Sequence, residues 1–223
     1  MSKFRVAEVF ASINGEGRRA GQLAVFVRFC GCNLSCSYCD TTWANAPDVP
    51  GKDYDAAALA AEVIKYGIRN VTVTGGEPLL TSGIGEFFRA LWQADPKIRI
   101  EVETNGSITP KPYVKEFPDI TWTMDYKLPG SGLENRMNEE AFRLLRPCDT
   151  VKFVVGSRED LIRATEVIKE MDLTERCQVC YSPVFGRIRP VEIVEYMKEF
   201  CQNDVTLQLQ LHKLIWDPDA RGV

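Results

Sequence analysis

The chain has 223 residues, of which 45% are hydrophobic, and it carries a formal net charge of −4. This length and composition suit one buried core, so we predict a single domain over residues 1–223. The charge and the lack of a basic cluster argue against a nucleic-acid partner, and no apolar run is long enough to cross a membrane. Residues 1–5 show no signal-peptide pattern, and we therefore expect a cytoplasmic protein.

Apolar periodicity predicts strands that alternate with helices along the chain. In the first half we predict helices at 54–65 and 84–94, and strands at 5–10, 23–29, 70–73, 99–103 and 121–125. In the second half we predict helices at 139–145, 159–171 and 191–200, and strands at 150–155, 178–182 and 205–211. Repeated βα units require right-handed crossovers, which gives an α/β fold with mostly parallel strands, as an open sheet or a barrel. Roughly six units are too few for a complete eight-fold barrel.

The most informative motif is a C-x3-C-x2-C spacing formed by Cys32, Cys36 and Cys39, directly after the predicted strand 23–29. A structural zinc site uses four protein ligands, and a ferredoxin-type iron–sulfur cluster uses four thiolates. Three thiolates on one loop instead indicate a cluster that leaves one iron open to a small molecule. Packing thiols, or a zinc site completed by Cys30, are the alternatives, but Cys30 is too close to Cys32 for the usual ligand spacing.

A second motif, Thr74-Gly75-Gly76-Glu77-Pro78, follows the predicted strand 70–73. Two glycines allow the backbone to approach a ligand closely, and Glu77 can accept a hydrogen bond from a cationic amine. By itself such a sequence is more often only a turn. Its position at a strand end, beside the cysteine loop, favours the ligand-binding interpretation.

The two motifs together resemble the radical SAM (S-adenosylmethionine) superfamily. The resemblance implies a partial (β/α)6-type barrel and one [4Fe–4S] cluster held by Cys32, Cys36 and Cys39, with the amino and carboxylate groups of SAM on the open iron. An electron from the reduced cluster would then cleave SAM and give a 5′-deoxyadenosyl radical that abstracts hydrogen from the substrate. The catalyst would thus be this radical, and no side chain is assigned a catalytic role.

The resemblance also assigns a SAM-binding set. Tyr38 would lie near the adenine, Gly76 and Glu77 would meet the methionyl amine, and Glu103 and Asn105 would reach the sugar hydroxyls. The other members follow later strands or the cluster loop: Asp40, Asp125, Tyr126, Lys127, Ser182, Pro183, Val184 and Phe185. Each of these polar strand ends also has a capping or turn interpretation, and their recurrence at successive strand ends favours the binding role.

Further residues resemble one family within the superfamily, the 7-carboxy-7-deazaguanine synthases. They occupy 8–17, 26–34, 39–41 and 210–213. The resemblance implies that 6-carboxy-5,6,7,8-tetrahydropterin is ring-contracted, with loss of ammonia, to 7-carboxy-7-deazaguanine of the queuosine (deazapurine) pathway. SAM would be reformed in each cycle. It also implies a reduced flavodoxin or ferredoxin-like electron donor and a homodimer.

A substrate site follows from this second resemblance. Arg28 would anchor the substrate carboxylate, since a guanidinium grips carboxylates bidentately, and Thr41 would bind Mg²⁺ that bridges to that carboxylate. Pterin contacts are assigned to Ile13, Asn14, Gly15, Glu16, Thr74 and His212, and to the terminal carboxylate of Val223. Asn14 stands where the commonest form of the motif has Gln, which affects its side-chain contact. Arg28 as a surface residue, Thr41 as a helix cap and His212 as a structural histidine stay open as alternatives.

Besides Cys30, four cysteines lie outside the motif, namely Cys148, Cys177, Cys180 and Cys201. We predict that they pack in the core, because no second pair completes a four-thiolate site with Cys177 and Cys180. Two other functions remain as alternatives. One is an activase of a glycyl-radical enzyme, which uses the same cysteine spacing on a protein substrate, and the other is a non-catalytic zinc-binding module.

Overall fold

One mixed sheet dominates the computed structural model, which describes residues 3–45 and 49–223. In that part of the chain the strands are β1 (Phe4–Ile13), β2 (Leu23–Phe29), β3 (Lys52–Tyr54), β4 (Asn70–Gly75), β5 (Arg99–Thr104), β6 (Thr121–Tyr126), β7 (Thr150–Val155), β8 (Gln178–Pro183) and β9 (Val205–Leu207). Their order is β3-β1-β2-β4-β5-β6-β7-β8-β9. β1 pairs antiparallel with β2 and β3, and all other neighbours are parallel. The sheet does not close, which confirms the predicted partial barrel.

Helices connect the parallel strands and cover one face of the sheet. Their bounds are α1 (Ala56–Ile64), α2 (Ile84–Ala94), α3 (Lys111–Val114), α4 (Glu139–Arg143), α5 (Arg158–Glu170), α6 (Pro190–Glu199) and α7 (His212–Ile215). Phe29 of β2 shows how the layers join, since its ring meets Phe4 and Phe87 at centroid distances of 6.1 Å each. Each such fully buried side chain contributes about 1.5–3 kcal/mol of hydrophobic stabilisation. None of the helices in the described ranges has the length and apolar character to span a bilayer.

The period of two along each strand sends apolar side chains to the helices and polar ones to the opposite, inner face. Val73, Val102, Tyr126 and Phe153 are buried in the hydrophobic core. Their strand neighbours line a cavity on the inner face: Thr74 of β4, Glu103 of β5, Asp125 of β6 and Lys152 of β7. Because parallel strands end at the same edge, this alternation alone gathers a charged cluster at one end of the partial barrel.

Several elements differ from the prediction. Tyr54 belongs to β3 and not to the first helix, because Asp55 caps that helix by accepting a hydrogen bond from the Ala58 backbone N–H at 2.8 Å. The last strand ends at Leu207, four residues earlier than predicted. The short α3 and α7, four residues each, were missed because one helical turn carries no detectable period.

Candidate active site

A cavity of about 690 Å³ opens at the carboxyl ends of the parallel strands. Its walls come from β1 and the loop that follows it, from β2, from the cysteine loop, from the ends of β4 to β8, and from residues 218–223. The predicted site residues in its lining are Ile13, Gly15, Glu16, Arg28, Cys32, Cys36, Tyr38, Cys39, Asp40, Thr41, Thr74, Gly76, Glu103, Asn105, Asp125, Lys127, Pro183, Val184, Phe185, His212 and Val223. One cavity therefore joins most of the two predicted ligand sets.

The three motif cysteines are free and half-buried in the cavity wall. The Cys32 Sγ accepts hydrogen bonds from the Leu34 backbone N–H at 3.4 Å and from the Asn105 amide at 3.6 Å. The Cys39 Sγ accepts one from the Asn45 amide at 3.3 Å. Burial raises the pKa of the Cys32 and Cys36 thiols, so neither resembles an activated cysteine nucleophile, which has a lowered pKa. N–H groups aimed at cysteine sulfur are the contacts that tune iron–sulfur clusters.

The zinc alternative requires ligands that converge on one metal ion. Within residues 3–45 and 49–223, no group of three or more histidine, cysteine, aspartate and glutamate side chains is arranged in that way. Cys30 does not line the cavity, and its sulfur instead lies beside Gly51 and Arg5. A cluster differs from zinc in this respect, because each thiolate binds a different iron and the three sulfurs stay apart. In these residues the structure therefore offers no preformed site for a single zinc ion.

The glycine pair after β4 brings two loops together. The Gly76 backbone N–H donates to the Phe29 carbonyl at 3.1 Å, and the Glu77 N–H donates to the Gly31 carbonyl at 2.9 Å. A Cβ on Gly76 would overlap the Gly31 carbonyl and lie 2.8 Å from the Cβ of Cys32. Gly76 is thus required where the loop packs against the cysteine loop, and it also lines the cavity.

The structure contradicts the predicted position of Glu77. Its side chain is fully buried and does not line the cavity. Its carboxylate accepts hydrogen bonds from the Leu79 N–H, the Thr104 hydroxyl and the Asn105 N–H at 2.9, 2.8 and 2.7 Å. Glu77 therefore connects the ends of β4 and β5 by hydrogen bonds outside the cavity lining. The Gly-Gly-Glu-Pro turn lies where it was predicted, but the Glu77 carboxylate points into the protein interior and not into the cavity.

Three further predicted residues lie outside the cavity lining. Tyr126 points to the helical side, where its ring packs on Phe142 at a centroid distance of 5.1 Å, because the strand alternation opposes it to Asp125. Ser182 is buried beneath the lining and donates a 2.5 Å hydrogen bond to Glu16. Asn14 is also buried, and its side-chain oxygen accepts a 2.7 Å hydrogen bond from the Thr72 hydroxyl. A direct ligand contact is thus not supported for these side chains.

A charged network at the cavity floor was only partly predicted. Lys152 lies 3.0 Å from a carboxylate oxygen of Glu16 and 3.1 Å from one of Asp125. Lys127 binds the other Asp125 oxygen at 2.7 Å. Burial raises the pKa of Glu103, which lies in the same cavity, to about 7. Lys152 was missed, although a lysine inside an otherwise apolar strand is a detectable signal.

Arg28 occupies the cavity wall in a defined orientation. Its Nε donates a 2.8 Å hydrogen bond to Glu8, its partner across β1 and β2. The guanidinium carbon lies 5.9 Å from the centre of the Trp43 ring, and that of Arg221 lies 4.4 Å from the same ring. Sequence reasoning missed Glu8 and Trp43, whose only signal is an acid or an aromatic group near a predicted anchor, and Arg221, which carries no such signal.

The chain segment after β9 closes the cavity against the loop that follows β1. The Gln208 side chain accepts from the Gly17 N–H at 2.8 Å and donates to the Gly17 carbonyl at 2.9 Å. The Leu211 N–H donates to the Gly15 carbonyl at 3.2 Å, and the His212 ring lies where a Cβ on Gly15 would be. Burial lowers the pKa of His212, so the ring is mostly neutral near pH 7.

Asp40 and Thr41 line the cavity beside the segment that follows β9. The Thr41 hydroxyl donates to Asp40 at 2.9 Å, and Lys213 pairs with the other Asp40 oxygen at 3.0 Å. Partial burial alone would raise the pKa of Asp40, but the Lys213 ammonium outweighs it and lowers the pKa to about 2. Thr41 is the N-cap residue of a short 3-10 helix at Thr42–Ala44, as the helix-cap alternative expects, but its side chain makes no capping hydrogen bond.

The remaining cysteines divide between core and surface. Cys177 and Cys180 are buried, as predicted, and both are free. Cys148 is half-buried, whereas Cys201 is exposed. The core-packing prediction is therefore wrong for Cys201, which follows the end of α6 in a left-handed backbone conformation, with φ of 49°.

Comparison with known proteins gives consistent results. Residues 26–186 match the Radical SAM superfamily. A 7-carboxy-7-deazaguanine synthase of Clostridium acetobutylicum is 48% identical over 220 residues, or 99% of each chain. One of Chlorobaculum tepidum is 36% identical over 98% of this chain and 96% of that one. The crystal structure of QueE from Escherichia coli has the same fold, with a TM-score of 0.73 at 20% identity over 93% of this chain and 94% of that one.

The chain is therefore a member of the radical SAM superfamily. The structure of a histidine-tagged anSMEcpe with bound AdoMet shares the fold more distantly, with a TM-score of 0.58 at 15% identity over 82% of this chain and 61% of that one. Within the superfamily, this chain belongs to the 7-carboxy-7-deazaguanine synthase family. Both resemblances inferred from the sequence motifs are thus confirmed.

Proposed function

We propose that the protein converts 6-carboxy-5,6,7,8-tetrahydropterin to 7-carboxy-7-deazaguanine and ammonia in queuosine and 7-deazapurine biosynthesis, with SAM regenerated in each turnover. The observation that carries this proposal is the shared cavity, in which the cysteine loop lies with Arg28, Glu16 and His212. An anionic pterin needs a cation for its carboxylate and acceptors for its guanidine-like edge, and the cavity offers both.

Cys32, Cys36 and Cys39 would hold a [4Fe–4S] cluster. The fit rests on three free thiols in the cavity wall and on the N–H donors from Leu34, Asn105 and Asn45 that point at two of them. When bound, the cluster and SAM supply one-electron reduction and hydrogen-atom abstraction. The chain's own contribution is to enclose the cavity with residues 218–223, so that water is kept from a reactive species.

The SAM side of the cavity would be formed by Tyr38, Asn105 and the Asp125–Lys127 ion pair. Lys127 supplies a cation and Asp125 an acceptor, while Tyr38 supplies an aromatic face. The other proposed contacts line the same wall: Asp40, Gly76, Glu103, Pro183, Val184 and Phe185. Glu77, Tyr126 and Ser182 would support this wall without touching SAM.

The substrate side would be formed by Arg28, Glu16 and His212. The Arg28 Nε is held by Glu8, which leaves the terminal guanidinium nitrogens for a bidentate grip on the carboxylate. Thr41 is our candidate Mg²⁺ ligand, with the substrate and water supplying further oxygens. Ile13, Gly15, Thr74 and Val223 would complete the pterin contacts, and Asn14 would position Gly15 from behind.

A glycyl-radical-enzyme activase is the weaker alternative, because the segment at 218–223 narrows the cavity for a protein substrate. We further propose a reduced flavodoxin or ferredoxin-like donor, a homodimer and a cytoplasmic location.

The function is tested by anaerobic incubation of the iron-loaded protein with SAM, dithionite, Mg²⁺ and the carboxytetrahydropterin. Deazapurine in excess over SAM is expected, and no product from a protein with an intact cluster would contradict the assignment. Cys36→Ala is the matched control and should lack both iron and product.

A further inference from the structure

Lys152 connects two parts of the cavity that are distant in sequence. It lies on β7, and its side chain is only 10% exposed. Its Nζ is 3.0 Å from Glu16, which follows β1, and 3.1 Å from Asp125, on the adjacent β6. Glu16 belongs to the proposed substrate side and Asp125 to the proposed SAM side.

The surrounding charges make Lys152 the balancing cation of the cavity floor. In the part of the chain that the structure describes, Lys152 is the one cation that forms an ion pair with Glu16. The other contacts of Glu16 are neutral donors, the Ser182 hydroxyl at 2.5 Å and the Gln210 amide at 3.3 Å. A carboxylate that is buried without a paired charge is strongly disfavoured. Glu16 thus depends on Lys152 for the opposite charge that balances its carboxylate in this position.

Asp125 is shared between two lysines, since Lys127 binds its second oxygen at 2.7 Å. This arrangement fixes both oxygens of Asp125, and loss of Lys152 would free one of them to rotate toward Lys127. Burial alone would lower the pKa of Lys152, but Asp125 and Glu16 outweigh it and raise the pKa well above its usual value. Ionisable groups that face Lys152 from the surrounding elements are Glu16, Asp40, Glu101, Glu103, Asp125, Lys127, Cys180 and His212.

We propose that Lys152 is a positioning residue that couples the substrate and SAM sides of the cavity by holding Glu16 and Asp125 in place at once. The proposal rests on the proposed function for the identity of the two ligands. It assigns Lys152 no direct part in the chemistry. Its prediction is that both ligands lose affinity together when this one ammonium group is removed, although neither ligand need touch it.

The test uses Lys152→Met, Lys152→Arg and the exposed control Lys169→Met, each loaded with iron under anaerobic conditions. SAM and substrate dissociation constants are measured separately by calorimetry at about pH 6.5 and about pH 8.5. For Lys152→Met we expect full iron content, about tenfold or greater loss for both ligands, and a larger loss at the lower pH. The pH effect follows because the Lys152 ammonium helps to lower the pKa of Asp125, which takes up a proton more readily without that cation. Lys152→Arg should recover most of the affinity.

Wild-type affinity of Lys152→Met for either ligand would overturn the proposal, as would an equal loss at both pH values without rescue by arginine. If Lys152→Met does not fold, the double variant Glu16→Gln/Lys152→Met, which removes the unpaired charge, is compared with Glu16→Gln. Further loss of SAM affinity in the double variant supports coupling through Asp125, and equal affinity contradicts it. SAM affinity is measured without the pterin present. The wild-type product assay therefore tests the proposed function separately.

Discussion

Arg28 provides the sharpest test of the substrate site. Its side chain is 18% exposed, and Glu8 accepts a hydrogen bond from its Nε at 2.8 Å. Replacement by alanine removes the proposed partner of the substrate carboxylate and leaves the sulfur-directed donors, Leu34, Asn45 and Asn105, untouched. We therefore expect Arg28→Ala to keep its iron and to lose substrate affinity.

The size of the loss follows from the burial of the pair. Removing one partner of a buried, hydrogen-bonded charge pair costs about 2–5 kcal/mol. Arg28 keeps some solvent contact, so we take about 3 kcal/mol, which corresponds to roughly a 150-fold weaker dissociation constant. Arg28→Lys retains the charge without the bidentate geometry and should fall between wild type and Arg28→Ala.

The assay compares two ligands, the carboxytetrahydropterin and the tetrahydropterin that lacks the carboxylate. If Arg28 grips the carboxylate, wild type and Arg28→Ala should bind the second ligand about equally, because that ligand has no group for Arg28 to hold. Equal losses for both ligands would show that Arg28 acts on the cavity shape instead. Unchanged affinity for the carboxylated ligand would refute the anchor directly.

Three further predictions follow from other contacts. Because burial raises the pKa of Glu103 to about 7, the folded protein retains a proton that the unfolded chain releases near pH 4.5. The free energy of unfolding of wild type should therefore fall relative to that of Glu103→Gln as the pH rises from 4.5 through 7. The same pH dependence of the free energy of unfolding in both proteins would contradict this. Gly76→Ala forces a Cβ onto the Gly31 carbonyl and should lower the free energy of unfolding by about 1–3 kcal/mol. Because the displaced loop packs against the cysteine loop, the iron content should also fall. Gln208→Ala leaves the backbone N–H and carbonyl of Gly17 without their partner. It should lower the free energy of unfolding in urea by about 1–3 kcal/mol and raise the substrate KM. An unchanged KM would show that this contact does not affect the site.

The bounds of a strand or helix were predictable where its apolar residues follow one regular period. β2 at Leu23–Phe29, α2 at Ile84–Ala94 and β7 at Thr150–Val155 have the predicted bounds, because their apolar residues repeat at two or at about 3.6 residues without interruption. β3, at Lys52–Tyr54, depends on pairing with β1, and three residues show no pattern of their own.

The strand ends that contribute to the site could be predicted from the sequence, but the direction of each side chain could be predicted less well. Asp125 and Tyr126 are neighbours in the same motif, yet alternation sends only Asp125 into the cavity. Glu77 turns inward because three donors from its own chain meet its carboxylate, and this convergence depends on the packing of β4 against β5. Lys152 was overlooked because its partner Glu16 is 136 residues away in sequence.

The tie between Gly17 and Gln208 spans 191 residues and therefore has a consequence for biosynthesis. On the ribosome, the cysteine loop is made early, whereas Gln208 and Leu211, which hold the Gly15–Gly17 loop, are made late. The cysteine loop is thus made while the residues that close the neighbouring half of the cavity are still missing. Closure on this side must wait until Gln208 and Leu211 have been made, so the substrate side is completed after the cysteine loop.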